Sequence, residues 1–213
     1  MKTLIINAQP DFLNDTHFSV RLQQLFLKQF SERFPNEAPA ILNLYDHEIP
    51  RIETEQLLAV WNKQQAGDEL TVDEAKIAET SNQLLSQFKA HHRIVIVSPL
   101  HNFNVTSRMK DYIDNILIAR ETFKYTETGS VGLMTDDYKV LLLQASGSIY
   151  TNQDRYTPLE FSRFYLEKMF VEMMGFDSFD IVRAEGTNVL SADAVWQSVP
   201  QQMKLAFSQF YGE

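Results

Sequence analysis

Apolar residues fall into two rhythms along this chain, and the rhythms take turns. Short runs rich in β-branched residues read as buried strands: Leu4-Ile5-Ile6, Ala40-Ile41-Leu42-Asn43-Leu44-Tyr45, Ile94-Val95-Ile96-Val97, Lys139-Val140-Leu141-Leu142-Leu143-Gln144-Ala145 and Phe179-Asp180-Ile181-Val182-Arg183-Ala184. Between them, apolar residues recur at helical spacing over 20–34, 53–65, 71–90, 109–117, 157–174 and 192–211. Strand and helix alternate five times, with no repeat, low-complexity tract or linker. That pattern predicts a single α/β domain over residues 1–213, a three-layer sandwich around a mostly parallel five-stranded sheet.

Punctuation sharpens the helices. Thr71-Val72-Asp73-Glu74 fits a capping box, and Thr157-Pro158-Leu159-Glu160 predicts a second, with Pro at the first helical position and a stop at Gly175. Pro200 predicts a kink or break in the closing helix. The 157–174 helix carries Phe161, Phe164, Tyr165, Leu166, Met169, Phe170, Met173 and Met174, more than one buried stripe needs. Its extra face either meets another subunit or lies under the last loop, and the pattern leaves both open. Residues 121–133 are too polar and too rich in Gly for a core helix and predict a hairpin, with Phe123 and Tyr125 on one face. Those rings either border a flat ligand or pack the hairpin onto its own domain.

The polar loops follow the first, third and fourth strands. In a doubly wound sheet of order 2-1-3-4-5 all of them converge on one crevice at the carboxyl edge of the sheet. Thr16, His17 and Ser19 stand at a helix start, where they either bind an anion or simply cap the helix. Pro99-Leu100-His101-Asn102-Phe103 forms the next turn, and Ala145-Ser146-Gly147-Ser148 the last.

Composition narrows what such a crevice holds. The 213 residues have 44% hydrophobic content, a net charge of −9 and a pI near 5.0, which oppose contact with nucleic acid or an anionic membrane surface. There is no Cys, so thiolate metal sites and thiol nucleophiles are excluded. The first residues hold only a three-residue apolar run, too short for a signal core, which predicts a cytoplasmic protein. His91-His92 lacks a third ligand at useful spacing and reads as a surface pair. Ser146 and Ser148 lack the G-x-S-x-G pattern of a hydrolase nucleophile. With no carboxylate pair, no Walker lysine and no metal set in these loops, the chemistry must come from a bound ligand, and a flat, phosphate-bearing redox cofactor matches the parts.

At this point the residues carry a likeness. Pro99-Leu100-His101-Asn102-Phe103-Asn104-Val105, followed by Ser107-Arg108-Met109-Lys110-Asp111-Tyr112-Ile113-Asp114, resembles a motif of the FMN-dependent NADH-azoreductases, relatives of the NAD(P)H quinone reductases. Thr122-Phe123-Lys124-Tyr125-Thr126-Glu127-Thr128-Gly129 with Gly132-Leu133 resembles the flap of the same family, and the likeness continues through Ala184-Glu185-Gly186. It implies a flavodoxin-like homodimer with one FMN per subunit, taking a hydride from NADH or NADPH onto flavin N5 and passing it to a quinone or azo compound by ping-pong chemistry. The implied cofactor-binding residues are Gln9, His17, Phe18, Ser19, Pro99, Leu100, His101, Asn102, Phe103, Ala145, Ser146, Gly147 and Ser148. Phe123, Tyr125 and Tyr150 are the implied substrate-lining residues, and His101 is a candidate proton donor with a lining role as the alternative.

The chain departs from that family's pattern in its first loop, where Gln9-Pro10-Asp11 and His17-Phe18-Ser19 replace S-P-R and S-x-S. Asp11 brings a negative charge towards the expected phosphate, which predicts weaker FMN affinity. A non-catalytic flavin-binding module is the competing reading. Thr106 stands where Pro is usual and predicts a looser helix start.

Overall fold

A computed structural model describes residues 2–212. In chain order the strands are β1 (Thr3–Asn7), β2 (Ala40–Asn43), β3 (Arg93–Pro99), β4 (Phe123–Thr126), β5 (Gly129–Gly132), β6 (Lys139–Ser146) and β7 (Ser178–Glu185). The α-helices are α1 (Phe18–Arg33), α2 (Leu57–Ala66), α3 (Val72–Lys89), α4 (Ser107–Ile116), α5 (Phe161–Glu167), α6 (Ala192–Trp196) and α7 (Val199–Tyr211).

Five strands pair in the order β2-β1-β3-β6-β7, all parallel, which is the predicted 2-1-3-4-5 arrangement. Strand periodicity explains the layers. Leu4, Ile6, Ile94, Ile96, Val140 and Leu142 point to one side, where they meet Phe88 of α3, Tyr112 of α4 and Leu166 of α5. Ile5, Val95, Val97, Leu141 and Leu143 point to the other, against Phe26 of α1 and Phe207 and Phe210 of α7. Buried on both faces, β1, β3 and β6 need unbroken apolar runs, and they have them. Among the described residues no helix is long and apolar enough to cross a membrane.

Helix punctuation holds in one place and fails in another. Thr71 accepts from the Glu74 N–H at 3.3 Å while the Glu74 carboxylate accepts from the Thr71 N–H at 2.7 Å, completing the expected box. At Thr157 the box does not form: Thr157–Leu159 is a single 3₁₀ turn, and α5 begins only at Phe161. The Glu160 carboxylate turns inward to Arg183 and Gln144 instead of back to the Thr157 N–H. The half-buried Arg183 guanidinium outcompetes a cap for the same carboxylate. α5 then passes into a π-helical segment, Lys168–Met173. Pro200 does break the closing helix, standing in the first turn of α7, where its missing N–H costs nothing.

Residues 121–133 form the expected hairpin, with Phe123 opposite Gly132 and Tyr125 opposite Ser130. Its base rests on the end of the π-helical segment: Met134 N–H donates to the Met174 carbonyl at 2.8 Å. Thr106 does not leave α4 loose. It makes no cap, but its hydroxyl donates to the Ala8 carbonyl at 3.3 Å and ties the helix start to the end of β1.

Candidate active site

The carboxyl ends of β1, β3 and β6 open into one crevice of about 290 Å³. Gln9, Thr16, His17, Phe18 and Ser19 form its first wall, Pro99 and Leu100 its floor, and Ala145, Ser146 and Gly147 its far wall. Three loops far apart along the chain thus meet as the topology requires.

The first wall is the start of α1. His17 is its N-cap residue and makes no side-chain cap bond, so the first N–H groups of the helix keep their capacity for an anion. The alternative that Thr16 or Ser19 caps the helix does not occur: the Thr16 hydroxyl donates to Asn14 Oδ1 at 2.7 Å, and buried Ser19 accepts from Gln9 Nε2 at 2.8 Å. Asp11 faces this wall and is held by His17 Nε2 at 3.1 Å and Asn14 Nδ2 at 2.9 Å. Hydrogen bonds from Asn14 and then His17 keep its carboxyl below the ordinary carboxylate range. Phe18 is backed by Trp196, ring centroids 6.3 Å apart, with the Arg21 guanidinium 5.0 Å from the Phe18 ring and 4.3 Å from the indole.

Leu100 N–H donates to the Ala145 carbonyl at 2.8 Å, which extends the β3–β6 ladder to the lip of the crevice. Beyond it the chain reverses at once. His101 and Asn104 exchange backbone hydrogen bonds of 3.0 Å each, and the two residues between them, Asn102 (φ 46°) and Phe103 (φ 67°), are both left-handed. That is the geometry of a type I′ turn. His101, Asn102 and Phe103 project past the floor as exposed residues and do not form part of the crevice lining.

A Cβ on Gly147 would lie 2.5 Å from Asn188 Nδ2, so a side chain here would push the Asn188 amide aside. The loop after β7 packs on this wall, with Thr187 N–H donating to the Ser146 carbonyl and Asn188 N–H to the Gly147 carbonyl, each at 3.1 Å. Thr187 also lines the crevice. Sequence reasoning missed it, although its place after a fifth parallel strand was a usable signal. Ser148 sits outside the lining, and the Ser146 hydroxyl is spent on its carbonyl at 2.9 Å. Of the expected substrate-lining residues, Tyr150 is buried against Tyr156 and its N–H is held by Glu185 at 2.8 Å. Phe123 packs the hairpin down, while Tyr125, 76% exposed, stands edge-on to it at 5.3 Å.

A family model described as a flavodoxin-like fold matches residues 1–206. FMN-dependent NADH:quinone oxidoreductase 1 of Lactiplantibacillus plantarum is 59% identical, covering 99% of both chains. The FMN-dependent NADH:quinone oxidoreductase of Streptococcus agalactiae is 53% identical over the full length of both. The crystal structure of an FMN-dependent NADH-azoreductase from Bacillus anthracis in complex with FMN superposes with a TM-score of 0.93, at 47% identity and 98% coverage of each chain. The chain belongs to the FMN-dependent NADH-azoreductase family, on the flavodoxin-like fold.

As a member of that family, the chain has parts that suit a flavin. The helix N-terminus offers uncapped N–H groups to an anion, the floor at Pro99 and Leu100 is apolar, and Gly147 leaves room for close backbone approach to a bound group. The lining contains no Lys or Arg, so the grip on an anion falls to N–H groups, Gln9 and His17.

Proposed function

We propose that this chain is an FMN-dependent NADH:quinone oxidoreductase that also reduces azo compounds. The observation that carries the reading is the crevice itself, in which an open helix start, an apolar strand end and a glycine wall converge at the switch point of the sheet. Its relatives support it: the B. anthracis azoreductase named above was solved with FMN, and the L. plantarum protein carries NADH:quinone oxidoreductase in its name.

When bound, FMN supplies the two-electron carrier between NADH and the acceptor. The protein holds and shields. The α1 N–H groups, with Gln9 and His17, hold the phosphate. Phe18, Pro99 and Leu100 would seat the ring's apolar surface, and backbone N–H groups of the 145–147 wall would meet its polar edge and stabilise negative charge there. The exposed 101–103 turn borders the acceptor side, and His101 lines it without acting as an obligatory proton donor.

The crevice lies at the small end of ligand cavities, roughly 300–1,000 Å³. We read it as half of a site finished by a second copy. Phe161 and Phe164, 49% and 58% exposed, and Tyr125 give that homodimer its apolar face. Residues 1–213 act as a single FMN-binding domain, and a chain without Cys, which can form no disulfide, is in keeping with a cytoplasmic setting.

The purified protein, supplied with FMN, is expected to show a bound-flavin absorbance spectrum and to oxidise NADH only when a quinone or azo dye is present. Initial rates at varied NADH and acceptor should give parallel double-reciprocal lines, since donor and acceptor use the crevice in turn. A folded sample that binds no FMN refutes the reading. A second reading, a flavin-binding module without turnover, is favoured by Asp11 beside the phosphate wall and predicts FMN binding with no NADH oxidation.

A further inference from the structure

Phe103 is an aromatic residue held at φ 67°, a conformation L residues adopt reluctantly, so something outside the turn should enforce it. The Ser162 N–H, at the start of α5, donates to the Phe103 carbonyl at 3.2 Å. Ser162 is itself 1% exposed, and its hydroxyl donates to Gln144 Oε1 at 2.6 Å. Gln144, also 1% exposed and one residue before the crevice wall, donates through Nε2 to Glu160 Oε1 at 2.7 Å. Arg183 of β7 grips the same carboxylate with two bonds, Nε to Oε1 at 3.0 Å and Nη2 to Oε2 at 2.8 Å. The Arg183 backbone is in turn held by Gln202 of α7, whose Oε1 accepts from the Arg183 N–H at 3.1 Å.

We propose that half-buried Arg183 and the buried Glu160, Gln144 and Ser162 form a relay that positions the Asn102–Phe103 turn beside the flavin crevice, acting as positioning residues for the reaction. The proposal rests on the flavin reading above. Its physical basis is direction. Taking an ion pair and two polar side chains out of water is costly, and apolar residues would fill the same space with less desolvation, so the relay's worth lies in the geometry it imposes. Every bond in it leads from the rigid sheet to one strained carbonyl. The bidentate Arg183–Glu160 pair fixes Glu160 in the plane of the guanidinium, Glu160 orients the Gln144 amide, and that amide sets where Ser162 can stand. The same demand on Glu160 explains why the 3₁₀ turn at Thr157–Leu159 is cut off from α5.

The test uses the full chain loaded with FMN and the variants Ser162→Ala and Gln144→Met, with Ser162→Thr as the conservative rescue. Ser162→Ala keeps the N–H and removes only the hydroxyl that places it. Both disruptive variants should raise the acceptor KM and the FMN dissociation constant about tenfold, on the scale of one displaced hydrogen bond. They should also change the visible circular dichroism of the bound flavin, a signal that loss of global stability does not move. Ser162→Thr should return all three towards wild type. Should Gln144→Met fail to fold, Ser162→Ala decides alone. Folded variants with unchanged FMN affinity, flavin dichroism and acceptor KM overturn the relay, even if their melting temperatures fall. A wild-type chain that binds no FMN overturns the flavin reading first, and is told apart by failing before any substitution is made.

Discussion

Asp11 is the residue on which the phosphate wall differs most in charge from its family's usual pattern. It lies against His17 and Asn14, ionised and with its carboxyl held low by their hydrogen bonds. A negative charge there repels the phosphate of FMN, so Asp11→Asn should tighten FMN binding by roughly threefold at low salt, an advantage that shrinks as screening increases. A fluorescence titration at two salt concentrations would show it, and equal affinities at both would remove Asp11 from the account. Thr106 makes the opposite kind of case. Its buried hydroxyl stitches α4 to the Ala8 carbonyl, so Thr106→Val, which keeps the shape, should cost about 1 kcal/mol in a urea denaturation experiment. The sequence alone suggested a loosened helix start at this position, because a hydroxyl's partner 98 residues away leaves no local trace.

The α2–α3 junction and the hairpin show what local pattern can and cannot fix. Glu74 both completes the capping box and binds Lys63 Nζ at 2.7 Å, and the Lys63 bond above all, then the Thr71 N–H, lower its pKa to about 2. A depressed carboxyl stabilises the fold fully above its ordinary pKa and loses that contribution as pH falls through the folded value. The stability gap between wild type and Glu74→Gln should therefore be constant near neutrality and close between about pH 4.5 and pH 2; a gap that persists in acid would contradict the assignment. That box was readable because all its parts lie within four residues. The similar string at Thr157 misled, since Glu160 answers to Arg183, 23 residues on, rather than to its own turn. The hairpin was foreseen, but its seat was not: a Cβ on Gly132 would lie 2.3 Å from the Met174 carbonyl carbon, with only backbone around it to yield. Gly132→Ala should accordingly cost about 2 kcal/mol or more and loosen the flap, visible as faster amide exchange in β4 and β5.

Strand order and the meeting of the crevice loops were legible from the alternation of apolar rhythms, because parallel connection rules leave few other arrangements. What the alternation could not decide was the fate of the extra apolar face near residue 164. Phe170 and Met174 go to the core while Phe161 and Phe164 stay in solvent, a division made by the turn of a helix that changes to π geometry part-way. If that face joins two copies, Phe161→Glu with Phe164→Glu should shift the protein from dimer to monomer in sedimentation and weaken acceptor binding; an unaltered sedimentation profile would place the interface elsewhere. The crevice has one more consequence, in time rather than in space. Its walls come from residues 9, 16–19, 145–147 and 187, and its floor at 99–100 depends on β1 pairing with a strand some ninety residues later (roughly the separation that makes parallel sheets slow to form). A growing chain on the ribosome therefore has no socket until almost all of it has emerged. Stalled nascent chains that expose only the first 180 or so residues (approximately the length short of the last wall) should not quench FMN fluorescence, while released chains do, which makes cofactor uptake an event that follows synthesis.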